Sequence, residues 1–139
     1  MILEPKDKKL LSDARMHKAR EFLSDAQSTF TDRRYRTSVN RAYYAALNAV
    51  RSLLILEGSN PETHEGAATL LSLRFIKTGI LPLEIAKNFK MLLVRRTDVD
   101  YGDFDTIDAA AAEDSLKSAW HVIDSIDTVR TKLISELKE

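Results

Sequence analysis

The chain has 139 residues, in which 21 lysines and arginines balance 21 aspartates and glutamates. That length suits a single domain over residues 1–139, 44% hydrophobic and 30% charged residues are the profile of a soluble globular protein, and zero net charge argues against coating nucleic acid through overall positive charge. Cysteine is absent, which excludes disulfides, thiol catalysis and thiolate metal sites.

No apolar run approaches the ~18 residues needed to cross a bilayer, and the first residues lack a signal-peptide pattern. The expectation is a cytoplasmic protein without membrane contact. Its glycines and prolines fall between segments of helical period, and no strand-like alternation is sustained. A first helix is predicted from about Asp7 to Thr31, with Leu11, Ala14, Ala19, Phe22, Leu23, Ala26 and Phe30 forming one stripe. Thr31-Asp32-Arg33-Arg34 makes a short polar connection. A second helix, about Tyr35 to Glu57, has an apolar face of Val39, Tyr43, Ala46, Leu47, Val50, Leu53 and Leu54. Opposite it lie Thr37, Arg41, Tyr44, Asn48 and Arg51, and Gly58 is a stop signal.

After a loop, Thr63 or Asn60 is placed to cap a third, shorter helix from about His64 to Lys77, ended by Thr78-Gly79. Pro82 suits the first turn of a fourth helix, which turns Ala86, Phe89, Leu92, Leu93 and Arg96 inward and fades near Thr97. Asp108 caps the last helix, where Ala112, Leu116, Ala119, Ile123, Ile126, Leu133 and Leu137 form a seam that only Arg130 interrupts. The predicted fold is all-α: an antiparallel up-and-down helical bundle of four long helices plus one short one.

Several chemistries can be excluded on spacing. Gly58, Gly66, Gly79 and Gly102 are isolated, so there is no Gly-rich phosphate loop. His64-Glu65 does not begin a zincin motif, because Ala68 stands where the second histidine is needed. His17, His64 and His121 have no partner at ligand spacing, and no inward Glu-x-x-His pair supports a di-iron bundle. Asp98, Asp100, Asp103, Asp105 and Asp108 are dense, but Gly102, Asp103 and Ala109 break the calcium-loop pattern. These aspartates are read as turn and helix-start residues, and no metal or cofactor is expected.

Two features carry more. Arg96 falls on the inner side of its helix, where a guanidinium needs charge-assisted partners such as Asp98, Asp100 or an acid from another helix or chain. Between Arg33 and Arg51 stand five arginines and no acid, with Tyr44 among them as a stacking surface. That stripe reads either as a phosphate-binding face or as a solvated face paired with acids elsewhere. The span from Asp98 to Asp114 holds seven acids and no base, so net neutrality is a sum over separated regions. The two segments either neutralise each other or leave a basic groove and an acidic rim.

The segment Tyr35-Arg36-Thr37-Ser38-Val39-Asn40-Arg41-Ala42-Tyr43-Tyr44-Ala45-Ala46 resembles the second-helix signature of HEPN-domain proteins. Thr63-His64-Glu65-Gly66, Phe75-Ile76-Lys77-Thr78-Gly79 and Arg96-Thr97-Asp98-Val99-Asp100-Tyr101-Gly102-Asp103-Phe104 resemble the small single-domain branch of that family, so the likeness spans nearly the whole chain. The resemblance implies a helical bundle, a homodimer, and a prokaryotic partner of a small nucleotidyltransferase or a toxin of a toxin–antitoxin pair. Many HEPN proteins are metal-independent RNases with an Arg-x4–6-His motif, in which arginine stabilises phosphorane charge and histidine moves a proton.

Here Arg95 and Arg96 match that motif and the histidine does not. Asp100 stands where it is expected from Arg95, and Tyr101 to Asp103 fill the window from Arg96. A carboxylate is too weakly basic at pH 7 to replace it directly. Three functions follow. A dimeric binding module would hold nucleotide or RNA through Arg41, Tyr44, Asn48, His64, Arg95 and Arg96. An RNase toxin would use Arg96, Asp100 and Tyr101, with His64 supplied from elsewhere in the fold. A purely structural interaction bundle would use the last-helix seam.

Overall fold

In the computed structural model, which describes residues 3–102 and 107–137, the periodic segments are helices α1 (Pro5–Thr31), α2 (Tyr35–Leu54), α3 (His64–Leu71), α4 (Leu83–Tyr101) and α5 (Ala109–Ser135). No strand occurs among the described residues. α1 runs antiparallel to α2, and α4 antiparallel to α5, as paired contacts show, while α2 and α5 pack side by side in parallel. Ser12 bonds Ser52 while Ser38 bonds Ala26 across α1 and α2. Arg95 meets Asp114 while Glu84 meets His121 across α4 and α5.

The core forms around α2. Its Ala42, Ala45, Ala46 and Ala49 are fully buried and let neighbouring backbones approach closely. Larger groups then fill the gaps, including Tyr43, Leu53, Leu54, Phe75, Ile85, Phe89, Leu92 and Ile123. Such burial is worth ~1.5–3 kcal/mol for each large side chain. Buried hydroxyls need acceptors, and Ser12 and Ser38 find carbonyls at 2.7 and 2.8 Å.

Four departures from the sequence expectation have local causes. α1 begins at Pro5 rather than Asp7, proline being suited to the first turn. The last turn of the second helix tightens to a 3₁₀ turn over Ile55–Glu57 before Gly58, whose φ of 82° needs glycine. The third helix leaves α geometry after Leu71 and continues as a π-helical turn over Ser72–Ile76. The fourth does not fade at Thr97 but runs one turn further to Tyr101. There Arg96 and Asp100 form an i,i+4 ion pair, and the Gly102 N–H donates to the Asp98 carbonyl. Asp98 and Asp100 are therefore helical rather than turn residues, while Asp103, Asp105 and the Phe104 end of the third motif lie outside the described residues.

Arg130, the break in the last seam, is a buried cross-link. Its side chain is only 13% exposed and reaches Asp13 at 2.6 Å and Asp127 at 2.9 Å, while Arg20 holds the other Asp127 oxygen at 2.7 Å. Burial pushes the Asp127 carboxyl up, but the hydrogen bonds from Arg20 and Arg130 outweigh it and hold it below the usual carboxylate range. Its contribution is therefore present above ~pH 4 and lost as pH falls through the folded pKa. Arg130→Ala is expected to cost about 1–3 kcal/mol at pH 7 and to shrink the stability difference between pH 7 and pH 3. Thermal melts at both pH values check this.

Candidate functional site

The helix-start signal at Thr63 does more than begin α3. The Thr63 hydroxyl accepts a hydrogen bond from the Gly66 N–H at 2.9 Å. A Cβ on residue 66 would come within 2.8 Å of that hydroxyl oxygen, so a larger residue there would displace it from its present position. The cap sets His64 at the first position of α3, facing α2. Tyr43 on α2 is fully buried, and a buried phenol needs a polar partner. It finds His64 Nδ1, while its ring stacks on Phe89 of α4 with centroids 5.9 Å apart and planes 9° apart.

Arg96 approaches the same place from α4. Its Nη2 donates to the Tyr44 hydroxyl at 3.2 Å, and its Nε lies 2.8 Å from Asp100 Oδ2 as an ion pair without hydrogen-bond alignment. The guanidinium carbon sits 5.8 and 5.7 Å from the Tyr43 and Tyr44 ring centroids, a cation–π arrangement. His64, Arg96, Asp98 and Tyr101, with Leu93 and Val94, line an open cavity of about 450 Å³. The Arg96 Nη1 has no hydrogen-bond partner among the described residues and remains for a ligand.

The electrostatics favour a neutral imidazole beside a permanent cation. Burial, then Arg96, then Arg51 lower the His64 pKa, opposed weakly by Glu65. Burial pushes the Tyr43 phenol far above its ordinary value, so it stays protonated. Burial pulls Arg96 down, but Tyr44 and Asp100 outweigh it and hold the guanidinium above its usual value. With Nδ1 engaged by Tyr43, the other ring nitrogen of His64 is the one open to a ligand. A histidine whose folded pKa lies below its unfolded value of ~6.5 stabilises the fold fully above that value, and the contribution is lost as pH falls. In a proton NMR titration His64 is expected to titrate below 6.5, and Arg96→Ala should move it upward.

The other residues singled out by sequence are placed differently. Tyr101 lines the cavity but is 74% exposed, and Asp100 is tied to Arg96. Arg95 points to α5, where Nη1 meets Asp114 at 2.8 Å, the Ala111 carbonyl and Ser115. Arg41 lies over the Phe22 ring of α1 at 5.6 Å, and Asn48 donates to its own helix at the Tyr44 carbonyl. Neither these last three nor Tyr44 line the cavity. Between the two charged segments, Arg36 donates to the Val99 carbonyl, and no ion pair joins them among the described residues. The stripe on α2 is half-buried rather than solvated. Tyr43 and Phe89 were legible only as core; the sign that Tyr43 does more is a hydroxyl on an otherwise apolar face.

Among the described residues no group of three or more His, Asp or Glu is placed to hold a metal ion, and no helix is long and apolar enough to cross a membrane. A family model described as the HEPN domain matches residues 12–129. The chain is 31% identical over 121 residues to a UPF0332 protein of Thermotoga maritima, covering 87% of this chain and 89% of that one. It is 34% identical over 67 residues to a second UPF0332 protein, of Pyrococcus horikoshii, covering 48% of this chain and 47% of that one. Over 63 residues it is 36% identical to a Methanocaldococcus jannaschii protein whose name is "putative toxin", covering 45% of this chain and 47% of that one.

Proposed function

The chain belongs to the HEPN-domain family, and from that premise we propose that it is a dimeric nucleotide- or RNA-binding module, the partner of a small nucleotidyltransferase in a toxin–antitoxin-type pair. The observation that carries the binding part is the Arg96 cluster: a cation held by Tyr44 and Asp100 beside a neutral histidine, with Arg96 and His64 both lining one cavity. A guanidinium with a free edge suits a phosphate. Arg96 and His64 line this site and Tyr44 holds Arg96 without lining the cavity, while Arg41, Asn48 and Arg95 stay outside it. Family membership supports homodimerisation and the nucleotidyltransferase partner as parts of the proposal.

Fluorescence anisotropy with a labelled single-stranded RNA tests the binding, light scattering the dimer, and co-purification from native cells the partner. Saturable RNA binding that Arg96→Ala weakens at least about tenfold is the expected result. A strict monomer with no affinity for RNA or nucleotide would remove the proposal.

One observation favours a second reading, an RNase toxin. His64 arrives from a distant helix start beside Arg96 and supplies the base that Asp100 cannot. The name of the Methanocaldococcus jannaschii relative fits it. Metal-free cleavage of RNA that ends on loss of His64 would favour this reading; tight binding without cleavage would favour the module.

A further inference from the structure

On the far side of Glu65 and Leu93 from the Arg96 cavity, a larger groove of about 630 Å³ runs between α3 with its π-helical turn and α4. Glu65 and Leu93 line both, so the groove borders the candidate site. Its floor is apolar, built from Ala68, Leu71, Leu73, Leu83, Phe89 and Leu93. Leu73 and Leu83 are 47% and 58% exposed. An apolar surface of this kind is unfavourable in water and marks a place where another surface sits. Three cations line the groove: Lys77 at the end of the π turn, and Lys87 and Lys90 one turn apart on α4. None of the three has an ion-pair partner among the described residues; Glu65 also lines the groove, and Glu84 beside them lies 3.6 Å from His121.

We propose that this groove is the docking site for an amphipathic helix of a partner protein, with an apolar stripe against Leu73, Leu83 and Leu93 and acidic side chains flanking it against Lys77, Lys87 and Lys90. With three lysines against the single acid Glu65, the lining charge favours an acidic partner. The floor offers no exposed aromatic ring on which nucleic-acid bases could stack, Phe89 being 1% exposed, and this favours a peptide over RNA. The docking surface stands on these observations alone. One consequence rests on the proposed function: a helix in the groove borders Glu65 and Leu93 and so narrows access to Arg96 and His64, making partner binding and RNA binding compete.

The test uses the full chain and a fluorescein-labelled synthetic helix of about 16 residues (~24 Å) with leucines on one face and glutamates flanking them. A control peptide carries lysine at each glutamate. Anisotropy at low salt is expected to show saturable binding of the acidic peptide only, weakening as salt rises. The triple variant Lys77→Glu/Lys87→Glu/Lys90→Glu should weaken it at least about tenfold, as should Leu73→Asp/Leu83→Asp. All five positions are exposed, so both variants should keep the wild-type circular dichroism spectrum and melting temperature. Equal binding of both peptides, no binding of either, or full affinity in the charge-reversed variant would overturn the proposal. So would loss of oligo(U) binding in that variant without peptide binding in the wild type, which would assign the groove to RNA. Arg96→Ala should leave peptide binding unchanged, so failure of the RNA reading and failure of the docking site give different results.

Discussion

Arg96→Ala is expected to lower the affinity for a short single-stranded RNA at least about tenfold while the protein remains folded. A charge-assisted hydrogen bond contributes about 1.5–3 kcal/mol, and about 1.4 kcal/mol is a factor of ten in affinity. The substitution removes the cation, the donor to Tyr44 and the partner of Asp100 together. It also leaves the Asp100 carboxylate at the cavity without a counter-charge, which repels phosphate and adds to the loss. The cost to stability should be about 1–2 kcal/mol, because Asp100 remains 26% exposed and can recruit water. Arg96→Lys separates charge from geometry. It keeps the cation but not the planar fork, so RNA affinity should stay several-fold below wild type and fall more steeply with salt. Anisotropy titrations at two salt concentrations read both effects. Wild-type affinity in Arg96→Ala would mean that phosphate is held elsewhere.

Phe89→Ala should be the most damaging single change at the site. Phe89 is 1% exposed and is the layer beneath Tyr43. Truncating a buried phenylalanine costs about 3–5 kcal/mol from lost transfer energy and the cavity left behind. Whole domains have only about 5–15 kcal/mol in reserve, so the urea midpoint should fall by a third or more. The tertiary effect is specific as well as large. Without Phe89 the Tyr43 ring loses its stacking partner, and with it the restraint that holds the phenol on His64. The His64 resonance should therefore broaden or shift in the variant even at low temperature, where the chain is folded. Phe89→Leu, which fills most of the volume, should cost only about 1 kcal/mol and leave His64 in place. A small urea shift for Phe89→Ala would show that the α2–α4 contact is looser than its geometry indicates.

Sequence periodicity identified the helices because side chains at three- and four-residue steps share a face, and that property is local. The caps were legible for the same reason. Thr63 and Asp108 accept from N–H groups three residues on, at 2.9 Å in both cases. Where local signals competed, the reading slipped. The aspartates after Thr97 suggested a turn, but the Arg96–Asp100 pair carries α4 one turn further. Arg130 suggested a broken seam, but two acids meet it from α1 and from its own helix.

The inward face of Arg96, the aromatic in the α2 stripe and the odd position of His64 are all properties of single segments, and the amino-acid sequence determined them by itself. Which of them meet was decided only by the tertiary structure. Tyr43 and His64 are 21 residues apart, and Tyr44 and Arg96 are 52 apart. Helical spacing says which face a residue occupies but not which helix that face will touch. That depends on how the small side chains of α2 let α1, α4 and α5 close around it, and on the Thr63 cap that aims α3. The same packing took Arg41 to Phe22 and Arg95 to Asp114, leaving Arg96 with a free edge at the cavity.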